Sequence, residues 1–296
     1  MAVFKSLHRG KLSPGWHYDV TGVMWRLFPT ASGHLVGEQR DLSRKTASFF
    51  CLDQITGRVK WEKATFAEQW WIGIEAVHRD MVFLHRFAAP DLPEHKAIIA
   101  VDLLKGTPTW SNEEVTFIGA RDEYVYAALD SLEGRKIFEM DYRTGAVLRL
   151  LGTEGEIMRE VNLEGPLLAA KSLQFPVAAD NVAALSSHTA VQRHCRGKNI
   201  TGAVEVLDYD DHLVMFNYHE RLVGGSTEDG TLRNVLQVID KGTGRVLFSD
   251  VLNSSAAAFV PDSFFVQHHT LYYIKERCRL IAVPLSDASP TVEQFL

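Results

Sequence analysis

The chain is poor in the features that mark common classes of protein. Its 296 residues include three cysteines, Cys51, Cys195 and Cys278. None stands in C-x-x-C spacing, which excludes a zinc ribbon and a redox dithiol. No apolar run approaches the ~20 residues of a membrane-spanning helix. The first twenty residues carry basic side chains without a continuous apolar core, so they do not read as a signal peptide. No long block of basic residues occurs, and the net charge of −6 comes from mixed signs along the chain, which leaves no footprint for nucleic acid. The Gly-x-Ser-x-Gly elbow, the phosphate-binding Gly-rich loop, the dinucleotide fingerprint and His-Glu-x-x-His are all absent. Together these absences lead to an expectation of a cytoplasmic protein that engages neither membrane nor nucleic acid and holds neither cofactor nor metal.

What is present is a repeat. Hydrophobic residues make up 46% of the chain, enough for a sizeable core, and they recur in one phrase: a short apolar strand ending in Asp, a turn, then a second strand. The phrase reads FFCLD-QITG-RVKW from Phe49, IFEMD-YRTG-AVLR from Ile137 and LQVID-KGTG-RVLF from Leu236. A looser copy, IIAVD-LLKG-TPTW, carries Asp102, and a decayed one, LIAVP-LSDASP-TVEQF, has Pro284 in place of Asp. Alternation of apolar residues makes half-buried strands. The Asp bonds the backbone ahead of it, and the Gly supplies the left-handed conformation that closes the hairpin.

Each copy follows another hairpin, giving a four-stranded antiparallel unit repeated five times at a pitch of about 37 to 52 residues. The units fall at 20–65, 70–114, 115–152, 200–252 and 257–296. Repeats of this kind arranged radially make a β-propeller, so the fold class expected is all-β, a five-bladed propeller forming a single domain over 1–296. Residues 153–199 lack the phrase and are rich in alanine. Helical composition from Ala178 to Arg193, with Asp180 or Asn181 to cap it, reads as a helix-bearing insertion between the third and fourth blades. Because Asp141 and Asp240 stand 99 residues apart, about two periods, a degenerate sixth blade is the alternative.

FFCLDQITGRVKWEK resembles the repeat of quinoprotein-type propellers, the PQQ-like repeat, in which a strand ending in Asp and then Thr-Gly leads to a strand bearing Trp. Trp61 and Trp110 take that Trp position; Leu150 or its neighbours and Phe248 replace it in later copies. The resemblance implies architecture. Quinone-dependent enzymes of the related fold carry an adjacent cysteine pair beside the cofactor, and no adjacent cysteines occur here, so the resemblance does not extend to the quinone.

In a propeller the first strand of each blade lines the centre. Those strands carry Arg26, Glu75, Arg121 and Glu205, with Gln267 in the fifth, a set suited to a polar small molecule or to carboxylate chemistry on a sugar. The same residues equally satisfy one another as structural ion pairs. Asp208, Asp210 and Asp211 followed by His212 read as turn formers. His268 and His269 point apart on an extended chain, and His188 with Cys195 makes only two ligands. Trp70 and Trp71 read as inter-blade packing, with one ring available as a platform. The function expected is a non-catalytic scaffold presenting its loops and the 153–199 segment to a protein partner; the alternative is a polar small-molecule or carbohydrate site at the centre.

Overall fold

The computed structural model describes residues 10–87, 94–132, 134–152, 173–185, 188–221, 232–256, 258–260 and 263–285. The chain is all-β and divides into two compact units, one of Val20–Lys171 with Val292–Leu296, the other of Met1–Asp19 with Ser172–Thr291.

The first unit begins with an antiparallel sheet of β2 (Val23–Pro29), β3 (His34–Asp41), β4 (Thr46–Asp53) and β5 (Val59–Ala64). A second follows from β6 (Ile72–His78), β7 (Met81–Phe87), β8 (His95–Asp102) and β9 (Pro108–Asn112). The third comprises β10 (Thr116–Arg121), β11 (Tyr124–Ser131), β12 (Gly134–Asp141) and β13 (Val147–Gly152). A single parallel bridge, Thr116 to Ala97, joins β10 to β8. Apolar side chains of the first and second sheets share one core, among them Val36, Phe49, Ile72, Ile74, Leu84 and Ile99. Phe83, Ile98, Val125 and Met140 form another between the second and third.

The repeated phrase closes as its residue types require. Asp53 Oδ1 accepts the Thr56 amide at 2.9 Å and hydroxyl at 2.8 Å, Asp141 does the same for Thr144 and Asp240 for Thr243. The following glycine then donates its amide to the Asp carbonyl, as Gly145 does to Asp141 at 2.9 Å. A contact between neighbouring repeats builds on that turn. Trp61 on β5 donates its indole N–H to Leu103 O at 2.7 Å, and its ring covers Gly106, the turn glycine of the next repeat. Trp110 on β9 donates to Tyr142 O at 3.0 Å and covers Gly145. Both glycines have positive φ, +68° and +71°, and a Cβ on either would stand 2.5–2.6 Å from the indole. Glycine is therefore required twice over, by the backbone and by the ring.

In the second unit β14 (Val177–Ala179), β15 (Val204–Asp208), β16 (Leu213–Arg221), β17 (Leu232–Asp240) and β18 (Val246–Ala256) form a five-stranded sheet. Beside it lies a four-stranded sheet in the order β1 (Trp16–Asp19), β21 (Arg279–Pro284), β20 (Thr270–Lys275) and β19 (Phe264–Gln267). The TVEQF strand expected in this last repeat lies outside the described residues. The edge of β21 pairs instead with β1, from the opposite end of the chain, and Arg279 fastens it to Asp19 at 2.5 and 3.0 Å. Phe248 packs with Phe264, Val266 and Tyr273 in the core of this unit.

The helix expected from Ala178 to Arg193 is shorter than its composition suggests. Val177–Ala179 pairs with the free edge of β15, because satisfying exposed strand backbone outweighs alanine's intrinsic helical preference. Asn181 then caps a single 3-10 turn, Val182–Ala184, accepting the Ala184 amide at 3.1 Å. Among the described residues only Thr189–Cys195 is α-helical (α1), burying Val191 and Cys195 against β15 and β16. Burial pushes the Cys195 thiol up to about 11 and the Cys51 thiol up to about 12, so both pack as inert apolar groups. Residues 153–172 lie outside the described residues.

Two outcomes are expected. Gly106→Ala and Gly244→Ala meet equal backbone strain, φ +68° and +72°, but nothing lies within 4 Å of a Cβ at Gly244. Gly244→Ala should cost about 1 kcal/mol and Gly106→Ala at least about 1 kcal/mol more through the displaced indole, read from urea midpoints; equal costs would show that the Trp61 contact contributes nothing. The second concerns acid. Hydrogen bonds from the Thr144 and Thr243 hydroxyls, then the backbone amides, hold the Asp141 and Asp240 carboxyls below their ordinary value. A depressed folded pKa gives stability that is complete above the unfolded value near pH 4 and lost as pH falls through the lower folded value. Asp141→Asn with Asp240→Asn should therefore flatten the loss of stability between about pH 5 and about pH 2; curves parallel to wild type would contradict this.

Candidate functional site

The second sheet departs from its neighbours at two places on adjacent strands. The β6–β7 ladder runs Ile74 to Leu84 and then Ala76 to Phe83, so Glu75 is the extra residue of a bulge. The first strands of the other two sheets in this unit are bulged at the corresponding place, but there the extra residues are Trp25 and Ile118. The second departure has no counterpart in them. The β7–β8 ladder breaks between Leu84 and Arg86, opposite Ala97, which takes φ +66° while buried. A non-glycine residue held there stores about 1 kcal/mol or more of strain, and bulges re-aim side chains.

The result is a cluster of Glu75, His85 and His95. Glu75 Oε2 lies 2.8 Å from His85 Nδ1 and 2.7 Å from His95 Nδ1. The two imidazoles stack with centroids 3.5 Å apart and planes within 7°. Phe87 meets the edges of both rings. His95 makes a directed hydrogen bond to the carboxylate. His85 is 1% exposed and approaches the same oxygen out of line, so neither of its ring nitrogens makes a directed hydrogen bond. Burial lowers the His85 pKa, the Glu75 carboxylate only partly offsetting it. Burial opposes ionisation of Glu75, yet the two imidazoles beside it outweigh that, and its pKa falls below the ordinary value.

A buried ion pair underlies the cluster. On β3, Glu38 accepts from Arg40 Nε at 2.6 Å and from the Ile74 amide at 3.0 Å. Arg40 donates onward to Trp70 O at 2.9 Å and Ile72 O at 2.7 Å, with Trp25 and Trp70 rings at 5.3 and 5.0 Å from its guanidinium. Arg26 donates to Ile74 O at 2.6 Å. Both backbone groups of Ile74, next to the bulge, are thus held by side chains from the first sheet. The space at Gly73 borders the cluster too: a Cβ there would stand 3.3 Å from His85 Nε2 and 3.2 Å from Glu38 Oε2.

Of the residues read from the sequence, Arg26 and Glu75 meet here. Arg121 lies exposed at the end of β10, paired with Asp122 at 3.6 Å. Glu205 and Gln267 are buried in the other unit; Ser263 N approaches Glu205 Oε2 at 3.5 Å. His188 pairs with Asp208 at 2.7 Å, and Asp210 accepts the His212 and Leu213 amides in a tight turn. Trp71 packs edge-on to Phe87, while Trp70 lies against Arg40. His85 and His95 were missed by sequence reasoning. The available signal was a histidine directly after the apolar run MVFL of the MVFLHRF strand. A mostly apolar cavity of about 390 Å³ opens elsewhere in this unit, lined by Pro29, Thr30, His34, Val77, Arg79 and Leu104 among others, and includes none of the cluster.

Comparison with known proteins adds one family match. Residues 29–110 match a domain of unknown function, DUF4905, a stretch that contains Glu38, Arg40 and the whole Glu75–His85–His95 cluster. No curated protein matches. Among solved structures, a bifunctional GH43-CE protein of Bacteroides eggerthii aligns at 12% identity over 93% of this chain and 34% of its own, with a TM-score of 0.29. Hydrazine synthase of Kuenenia stuttgartiensis aligns at 14% over 92% of this chain and 59% of its own, with a TM-score of 0.28. An uncharacterized protein of Listeria monocytogenes aligns at 14% over 86% and 75%, with a TM-score of 0.29. TM-scores of this size establish no shared function. Among the described residues no helix is long and apolar enough to cross a membrane.

Removing one partner of the Glu38–Arg40 pair strands a buried charge. Arg40→Met should cost about 3–5 kcal/mol in urea unfolding, and Glu38→Gln added to it should recover much of that loss. A single-variant cost below about 1 kcal/mol would show that the pair does not hold β6.

Proposed function

We propose that this chain is a binding protein for a small polar or ionic ligand, received at the Glu75–His85–His95 cluster. We also propose that its repeats are blades of one β-propeller of the PQQ-like type. The observation that carries the binding reading is local. Three sheets of one unit are built from the same repeat, and among the described residues only the second carries the additional β7–β8 bulge, the strained Ala97 and a carboxylate gathered with two imidazoles. Strain and buried ionisable groups lower stability, and they concentrate where a protein binds or reacts. The function expected first from the sequence, a scaffold using the 153–199 segment, is left aside here, since residues 153–172 of that segment lie outside the described residues.

The test is a thermal-shift screen of wild type and Glu75→Gln against divalent metals, sugars, nucleotides, organic acids and quinones. A ligand at 100 times its dissociation constant stabilises the folded state by about 2.7 kcal/mol. The reading expects at least one compound that shifts wild type and not Glu75→Gln. A set of compounds that shift both proteins equally, or none that shifts wild type, would refute it.

A further inference from the structure

We infer that the ligand of the cluster is a divalent first-row transition metal ion, zinc or a near neighbour, bound by His85 Nδ1, His95 Nδ1 and Glu75 Oε2. This deepens the binding reading above and rests on it. Among the described residues, these three form the one group of His, Cys, Asp or Glu side chains whose ligand atoms all lie within 4.8 Å of one another. Two imidazole nitrogens and one carboxylate oxygen suit zinc and its neighbours, whereas magnesium and calcium take oxygen ligands.

The geometry is close to that of a bound ion. Donors bonded at about 2.0–2.1 Å to one tetrahedral ion stand about 3.3 Å apart. Glu75 Oε2 stands 2.7 and 2.8 Å from the two nitrogens, so an opening of about half an ångström seats the metal. The stacked rings must also splay, because parallel lone pairs do not converge on a point. His95 sits at the start of β8 with its side chain 28% exposed and is the ring placed to turn, opening its stack on His85; His85 is fixed in the core.

His85 supplies the second observation. A fully buried imidazole that makes no directed hydrogen bond costs stability, and a metal on Nδ1 removes that cost. Histidines that ligate metals hand their other ring N–H to an acceptor. Here His85 Nε2 and Glu38 Oε2 border the same space at Gly73 but make no hydrogen bond, so the ring must shift for Nε2 to reach that carboxylate. Glu75 and His95 are partly exposed, so a fourth coordination position opens to solvent, as in sites that receive a water or a ligand oxygen.

The test uses chelator-treated full-length protein titrated with Co²⁺ and then Zn²⁺. One equivalent of Co²⁺ should produce visible d–d absorption that Zn²⁺ abolishes. His95→Gln and Glu75→Gln, checked for folding by circular dichroism, should weaken Co²⁺ binding by about a hundredfold or more. His212→Gln, which alters an exposed histidine of the other unit, should leave it unchanged. The inference falls if millimolar Co²⁺ gives no d–d band, if His95→Gln binds as wild type does, or if His212→Gln weakens binding equally. Should metals fail while an organic ligand shifts wild type and spares Glu75→Gln, the metal assignment alone is refuted; a flat response to every compound refutes both.

Discussion

An indole seated on a glycine of the next repeat sets the geometry of the Val20–Lys171 unit. Trp61 over Gly106 and Trp110 over Gly145 each combine one hydrogen bond to a backbone carbonyl with close ring-to-backbone contact, and each rests on the glycine of an Asp-initiated turn, Asp102–Gly106 and Asp141–Gly145. The turn is local and self-sufficient: a carboxylate gathers two amides or an amide and a hydroxyl, and the glycine completes it. The Trp then converts a local turn into a contact between repeats. Such a chain of dependence, from Asp to Gly to Trp to the neighbouring sheet, lets a repeat of modest intrinsic stability stack reproducibly.

Against that regular frame the second sheet is an exception with a cost. A left-handed alanine, an additional bulge and a buried histidine with undirected nitrogens are each destabilising, and each is absent from the sister sheets of the unit. The Glu38–Arg40 pair counters them by gripping the backbone of Trp70, just before β6, and of Ile72 and Ile74 on it, and Arg26 adds a further bond to Ile74. Rigid support of this kind is what a site needs if three donor atoms are to be held within a few tenths of an ångström. The same ion pair that satisfies a strand edge thereby positions the bulge from which Glu75 projects.

Much of the fold was legible because its signals are local. Asp53, Asp102, Asp141 and Asp240 announce their turns, and the strands around them alternate as half-buried strands must. Long-range pairing was not legible: nothing near Leu280 indicates that Trp16–Asp19 takes the edge of β21. Nor did alanine content between Ala178 and Arg193 show that a free strand edge would claim its first residues. The site was half legible. Arg26 and Glu75 stood out as charges on otherwise apolar strands, but Arg121 was grouped with them for lying on a first strand, and it stands exposed at that strand's end, three residues beyond the bulge. His85 and His95 stand at the ends of buried apolar runs on β7 and β8, and the sequence does not show the double bulge that brings them to Glu75.

The central claim, that this cluster exists to hold an ion, is tested most directly by anomalous diffraction at the zinc edge from crystals grown with one equivalent of Zn²⁺. The account predicts a single strong peak within bonding distance of His85 Nδ1, His95 Nδ1 and Glu75 Oε2, with the two imidazoles splayed from their parallel stack. A map with no peak at these atoms, or with the rings still stacked and zinc confined to surface histidines, would contradict it.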